Sequence, residues 1–200
     1  LKMRNLLPIR GAKLAPLVLV AIAIFLSWVN YAPGSFLTGW DTLHPEFNFS
    51  LNFSRILNGV WREEQGLGAV AGHSHMADLP RIIFLYLSSF ILPPHFLRYF
   101  YFFLSLLLGP LGVYYFLERV IFKDKPNFPK KAAAFFGGLF YLLNLGALQH
   151  FYVPFEMFVT QYAFLPWLFL FATKFLIGGK RKDLVYFSLV TFLSTPMAYA

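Results

Sequence analysis

Leu14-Ala-Pro-Leu-Val-Leu-Val-Ala-Ile-Ala-Ile-Phe-Leu-Ser-Trp-Val-Asn-Tyr31 contains no charged residue. A hydrocarbon core is crossed by about 20 mainly apolar residues rising 1.5 Å each, and this run meets that length. Four basic residues and no acid precede it, at Lys2, Arg4, Arg10 and Lys13. A basic start before an apolar run also describes a secretory signal peptide. Here the run is long, ends in bulky Trp28 and Tyr31 and has no small-x-small cleavage site. It therefore reads as an uncleaved first transmembrane helix (14–33) with its N-terminus in the cytoplasm. Trp28 and Tyr31 fall at the outer interface, where amphipathic rings are favoured.

The rest of the chain repeats the pattern. Hydrophobic residues make up 58% and charged residues 13%, with a mean hydropathy of +0.59. A soluble domain holds nearer half and a quarter. The expectation is an all-α, polytopic transmembrane bundle. Lys and Arg outnumber Asp and Glu by 17 to 9, but they cluster between apolar runs, which orients helices in a bilayer rather than binding nucleic acid. With no cysteine, disulfides, thiolate catalysis and Cys-bound zinc are excluded. The chain opens on Leu1, with Met3 close by, and stops at Ala200 inside an apolar run. The expectation is an N-terminal piece of a longer protein.

Residues 34–78 form the one long polar segment, expected outside the cytoplasm. It holds Asp41, Glu46, Glu63, Glu64 and Asp78, with His44, His73 and His75. Within it, the spacing of Phe47, Leu51, Phe53, Ile56, Leu57 and Trp61 predicts an amphipathic helix over Pro45–Trp61, lying on the membrane surface. Gly66, Gly68 and Gly72 break it into loop. Residues 79–92 are apolar but short and end at Pro93-Pro94. The loop Lys123-Asp-Lys-Pro-Asn-Phe-Pro-Lys-Lys131 holds four lysines and one acid, which predicts a cytoplasmic position. Only one crossing then fits between Asp78 and Lys123. It is assigned to 95–122, and 79–92 becomes a re-entrant or interfacial helix. Further crossings are expected at 132–149 and 157–176. A second basic loop follows at Gly178–Asp183, and 184–200 begins another crossing. Asn48-Phe-Ser and Asn52-Phe-Ser match the N-glycosylation pattern, but as accidental matches in an amphipathic stretch.

The chemistry is expected in the outer segment. Asp41, between Trp40 and His44, can act as a general base toward a hydroxyl or hold a divalent cation. As a bland alternative it is a solvated acid capping the helix that Pro45 begins. Arg55, Arg81 and Arg98 fall at the outer interface, where a guanidinium forks onto phosphate or anchors in headgroups. His73-x-His75 has metal spacing without a local third ligand and reads first as solvated, as does Glu63-Glu64. His150, Glu156 and Gln161 lie at the outer end of a helix pair, where ionisable groups face cavities or cap helices.

A cytoplasmic N-terminus, one crossing, then Gly39-Trp-Asp41 opening an outer loop with an amphipathic helix resembles the GT-C glycosyltransferase superfamily. The nearer likeness is to its arabinofuranosyltransferase branch, through Asp41, Trp61-Arg-Glu-Glu, Gly66-Leu-Gly68 and Leu79-Pro-Arg81. Where that branch carries Trp-Asp-Pro, this chain has Trp61-Arg-Glu. The resemblance implies a bacterial plasma-membrane enzyme moving a sugar from a polyprenyl-phosphate donor to an extracytoplasmic glycan or lipid acceptor. It implies Asp41 as the catalytic residue. By their position rather than by the resemblance, His44, Glu46, Arg55, Arg81, Arg98, His150 and Glu156 are the candidates for lining the substrate. A multi-pass transporter or lipid flippase is the alternative, though no predicted crossing carries a charge near its middle.

Overall fold

The computed structural model describes residues 14–39, 44–58, 61, 67–68 and 76–199. Among the described residues every regular element is helical. Eight α-helices follow in order: α1 (Leu14–Val29), α2 (Phe49–Asn58), α3 (Leu79–Ser88), α4 (Pro94–Phe116), α5 (Asn127–Leu143), α6 (Leu145–Tyr152), α7 (Glu156–Gly178) and α8 (Arg181–Leu193). Short 3-10 turns stand at Pro45–Phe47 and Thr195–Tyr199, and α4 runs on into a π-helical turn at Leu117–Ile121. Three segments are long and apolar enough to cross a membrane: Pro94–Ile121, Asn127–Gln149 and Glu156–Gly178.

The helix ends follow local chemistry, and several differ from expectation. The first apolar run is helical only to Val29, 16 residues, so α1 falls short of the expected 14–33. The amphipathic segment breaks at Asn48, between the 3-10 turn that Pro45 starts and the ten residues of α2. The third long apolar segment is interrupted at Asn144, whose extended backbone ends α5 and whose Oδ1 accepts from the Ala147 amide at 2.9 Å to cap α6. That is a standard role for asparagine. Because α6 runs through Tyr152 and α7 starts at Glu156, the connection between them shrinks to three residues, 153–155. The stretch left between the expected crossings 132–149 and 157–176 is therefore partly helix, at 150–152 and at Glu156. Gly179, at φ +61°, stops α7 in the left-handed conformation that glycine tolerates. The last apolar run ends at Leu193 rather than continuing to Ala200.

Side-chain contacts set the helix directions. Tyr101 meets Thr160, the Trp167 indole donates to the Leu108 carbonyl, and Phe116 lies near Phe169, so α4 and α7 run parallel. Tyr141 stacks on Tyr162 at 4.5 Å while Gly138 faces Pro110, so α5 runs antiparallel to both. Lys174 pairs with Asp183 and Phe171 with Tyr186, which turns α8 back along α7. Leu19 packs with Tyr114 and Ala134, and Ala23 with Leu106 and Leu142, placing α1 alongside α5. The starts of α1, α5 and α8 therefore share one end of the bundle.

Close approach depends on small residues. A Cβ at Gly112 would lie 2.8 Å from the Trp167 ring, and one at Gly138 would lie 2.9 Å from the Pro110 carbonyl oxygen. Helices that cross lipid gain contact this way, since hydrocarbon outside gives no hydrophobic drive for association. The outward faces stay apolar, with Leu17, Ile24, Phe25, Phe136, Phe140 and Leu176 all exposed.

Candidate functional site

At the end of the bundle away from the lysine loop, six ionisable side chains meet where the polar segment touches the helices. Asp78 immediately precedes α3, and Arg81 follows one turn later, so its guanidinium folds back onto the carboxylate. Nε donates to Oδ1 at 2.6 Å and Nη2 donates to Oδ2. Arg81 also donates through Nη1 to Glu156 Oε1 at 3.3 Å. Glu156 is the first residue of α7, where the helix macrodipole favours a negative charge. Its Oε1 also takes Arg98 Nη2 at 2.6 Å. Arg98, one turn into α4, donates to the Pro154 carbonyl at 3.3 Å and lies 5.6 Å above the Phe102 ring. Its Nη1 is 2.9 Å from His44 Nδ1, and that nitrogen is 3.0 Å from Glu46 Oε1.

Asp78, Arg81, Arg98 and Glu156 are all at most 2% exposed, and Glu46 is 8% exposed. With His44 neutral the row carries three carboxylates against two guanidiniums, one net negative charge. His44 Nδ1 cannot serve both neighbours. Unprotonated it accepts from Arg98; protonated it donates to Glu46 and leaves Arg98 no lone pair there. Among the described residues, Glu46 Oε2 is buried with no hydrogen-bond partner.

Beneath the row, Tyr101 and Thr160 share a hydrogen bond of 2.6 Å, and the Thr160 hydroxyl donates to the Glu156 carbonyl. Leu85, Leu97, Phe102 and Val159 close the apolar floor. The row therefore rests on a packed base formed by α3, α4 and α7.

No family model, curated protein or solved structure matches this chain. The geometry alone sorts the expected site residues. His44, Glu46, Arg81, Arg98 and Glu156 come together. Arg55 is half-buried in the last turn of α2, and Gln161 is exposed on α7. Asp41, Glu63, Glu64, His73 and His75 lie outside the described residues, as does the side chain of His150 on α6. Among the described residues, no three His, Asp or Glu side chains are placed to share a metal ion.

Asp78 is the member that sequence reasoning passed over, as one more acid of the polar segment. The three-residue spacing to Arg81 is the signal that could have found it, since such pairs face each other on a helix. The Pro154 carbonyl left no such trace.

Proposed function

We propose that this chain belongs to a membrane glycosyltransferase that moves a sugar from a polyprenyl-phosphate donor to an extracytoplasmic glycan or lipid acceptor. The observation that carries this reading is the buried ionic row. Ionisable groups at membrane depth are costly and mark functional regions, and this row ties the outer segment to α3, α4 and α7. His44, which touches Arg98, stands three positions after Asp41 in the chain.

In this reading Asp41 is the general base. It takes the proton of an acceptor hydroxyl while that oxygen attacks the anomeric carbon. The bond from that carbon to the phosphate oxygen breaks, and polyprenyl phosphate leaves with the electron pair. Arg81 and Arg98 are occupied by carboxylates, so they position the outer segment rather than touch phosphate. The N-terminus and both lysine-rich turns are cytoplasmic, and residues 34–78 face outward. At ten residues, about 15 Å, α3 is too short to cross about 30 Å of hydrocarbon. It acts as a re-entrant or interfacial helix beside the donor's path.

The test is Asp41→Asn in the full-length protein, assayed for transfer from a radiolabelled polyprenyl-phosphate sugar. Loss of a general base lowers the rate by about 10²- to 10⁴-fold, and unchanged transfer rejects the assignment. A transporter or lipid flippase is the second reading, favoured by the same buried charges. These sit near helix ends, Arg98 one turn into α4 and Glu156 at the start of α7. Lipid movement across the bilayer with no cleavage of the sugar–phosphate bond selects that reading instead.

A further inference from the structure

Beside the ionic row, and sharing Phe102 with its floor, a cleft of about 370 Å³ opens between α1, α4 and the α5–α6 junction. Its back wall is buried and apolar: Phe102, Leu106, Leu142 and Ala147. At its mouth stand the exposed residues Asn30, Leu143, Leu148 and Tyr152. Leu143 and Leu148 belong to the membrane-length segment Asn127–Gln149. The cleft therefore opens through the apolar surface of a helix suited to lipid. Left empty, such an apolar slot forfeits the dispersion contacts of its walls.

We infer that this cleft holds one acyl chain of a membrane glycerophospholipid, with the ester region at Tyr152 and Asn30. The apolar slot matches the chain. The mouth supplies neutral polar groups for an ester carbonyl, the Tyr152 hydroxyl and the second N–H of the Asn30 carboxamide, whose first donates to the Leu26 carbonyl at 2.7 Å. Among the described residues lining the cleft, none is charged. An isoprenoid phosphate would draw a guanidinium or ammonium group to the mouth. Arg98, above the Phe102 ring, is engaged with Glu156. The occupant is thus distinguished from the lipid-linked sugar donor, and the inference stands whether or not the chain transfers sugars.

The test uses the full chain purified in mild detergent and examined by native mass spectrometry. The wild type retains one phospholipid. Ala147→Phe, which fills the back of the cleft, retains about tenfold less. Leu176→Phe, on the far end of α7, retains as much as the wild type. Equal retention by all three proteins overturns the proposal, as does no retention by the wild type. A second measurement covers misfolding of Ala147→Phe: wild-type protein in vesicles containing a phospholipid with a photoreactive acyl chain. Crosslinks concentrated on 99–106 and 142–152, and reduced by unlabelled phospholipid, support the site. Crosslinks spread equally over the exposed face of 184–193, or reduced by polyprenyl phosphate alone, overturn it.

Discussion

Replacing Arg98 with methionine keeps most of its volume and removes the charge that holds α4, α7 and His44 of the polar segment together. The guanidinium is 1% exposed and touches Glu156 at 2.6 Å, His44 at 2.9 Å and the Pro154 carbonyl at 3.3 Å. At an effective dielectric constant near 20, the Arg98–Glu156 attraction alone is about 6 kcal/mol before desolvation. Much of it is offset by the cost of taking both charges out of water, yet removing one partner strands the other. Broken buried pairs lose about 3–5 kcal/mol. The variant also leaves the row with two net negative charges instead of one. For a chain of this size each kcal/mol shifts Tm by roughly 2–4 °C, so Arg98→Met lowers it by about 6–20 °C. Glu156→Gln, by contrast, balances the row at two carboxylates and two guanidiniums and costs less. The double variant returns the row to one net negative charge and recovers part of the loss. Thermal unfolding of the detergent-solubilised full chain, followed by circular dichroism, measures all three. Additivity within about 0.5 kcal/mol, or an Arg98→Met shift under about 2 °C, refutes the coupled-row argument.

Other consequences are independent of the row's chemistry. Gly138→Leu forces a side chain against the Pro110 carbonyl and Leu19, and backbone cannot give way cheaply. It destabilises by about 1–3 kcal/mol, whereas Gly178→Leu, with open space around it, leaves Tm unchanged. Tyr101→Phe removes the bond to Thr160 and costs about 1 kcal/mol, read in the same unfolding assay. A reporter fused after Lys125 gives a cytoplasmic signal, as does one fused after Gly179. An external signal at either place overturns the orientation and the assignment of α3 as non-crossing.

The helical class and the helices of membrane length were legible because they depend on composition and run length, which need no partner. Apolar stretches near 95–122 and 157–176 became long helices, with ends moved by local signals, and the stretch near 132–149 became two helices that meet at Asn144. Asn144 is the instructive case. As a polar residue inside an apolar run it looked continuous, yet its side chain reaches the Ala147 amide and caps a new helix. The amphipathic spacing over 45–61 was correct for 49–58, but it carried no information about the break at Asn48. Charge bias suggested one crossing between Asp78 and Lys123, and ten-residue α3 agrees with that in length.

The site divides along the same line. Sequence alone could name His44, Glu46, Arg81, Arg98 and Glu156, because ionisable residues next to apolar runs stand out. It could not pair them. Arg81 and Glu156 are 75 positions apart and His44 and Arg98 are 54 apart, so their meeting depends on how α3, α4 and α7 pack. That packing turned two arginines expected to meet phosphate into the partners of one buried carboxylate, and it brought in Asp78. Hydropathy determined by itself that this chain seeks hydrocarbon, since burial of apolar groups is a property each residue brings along. Which charges neutralise one another was decided by the tertiary structure, because a charge at depth is tolerated only where folding delivers its counterpart within hydrogen-bonding distance.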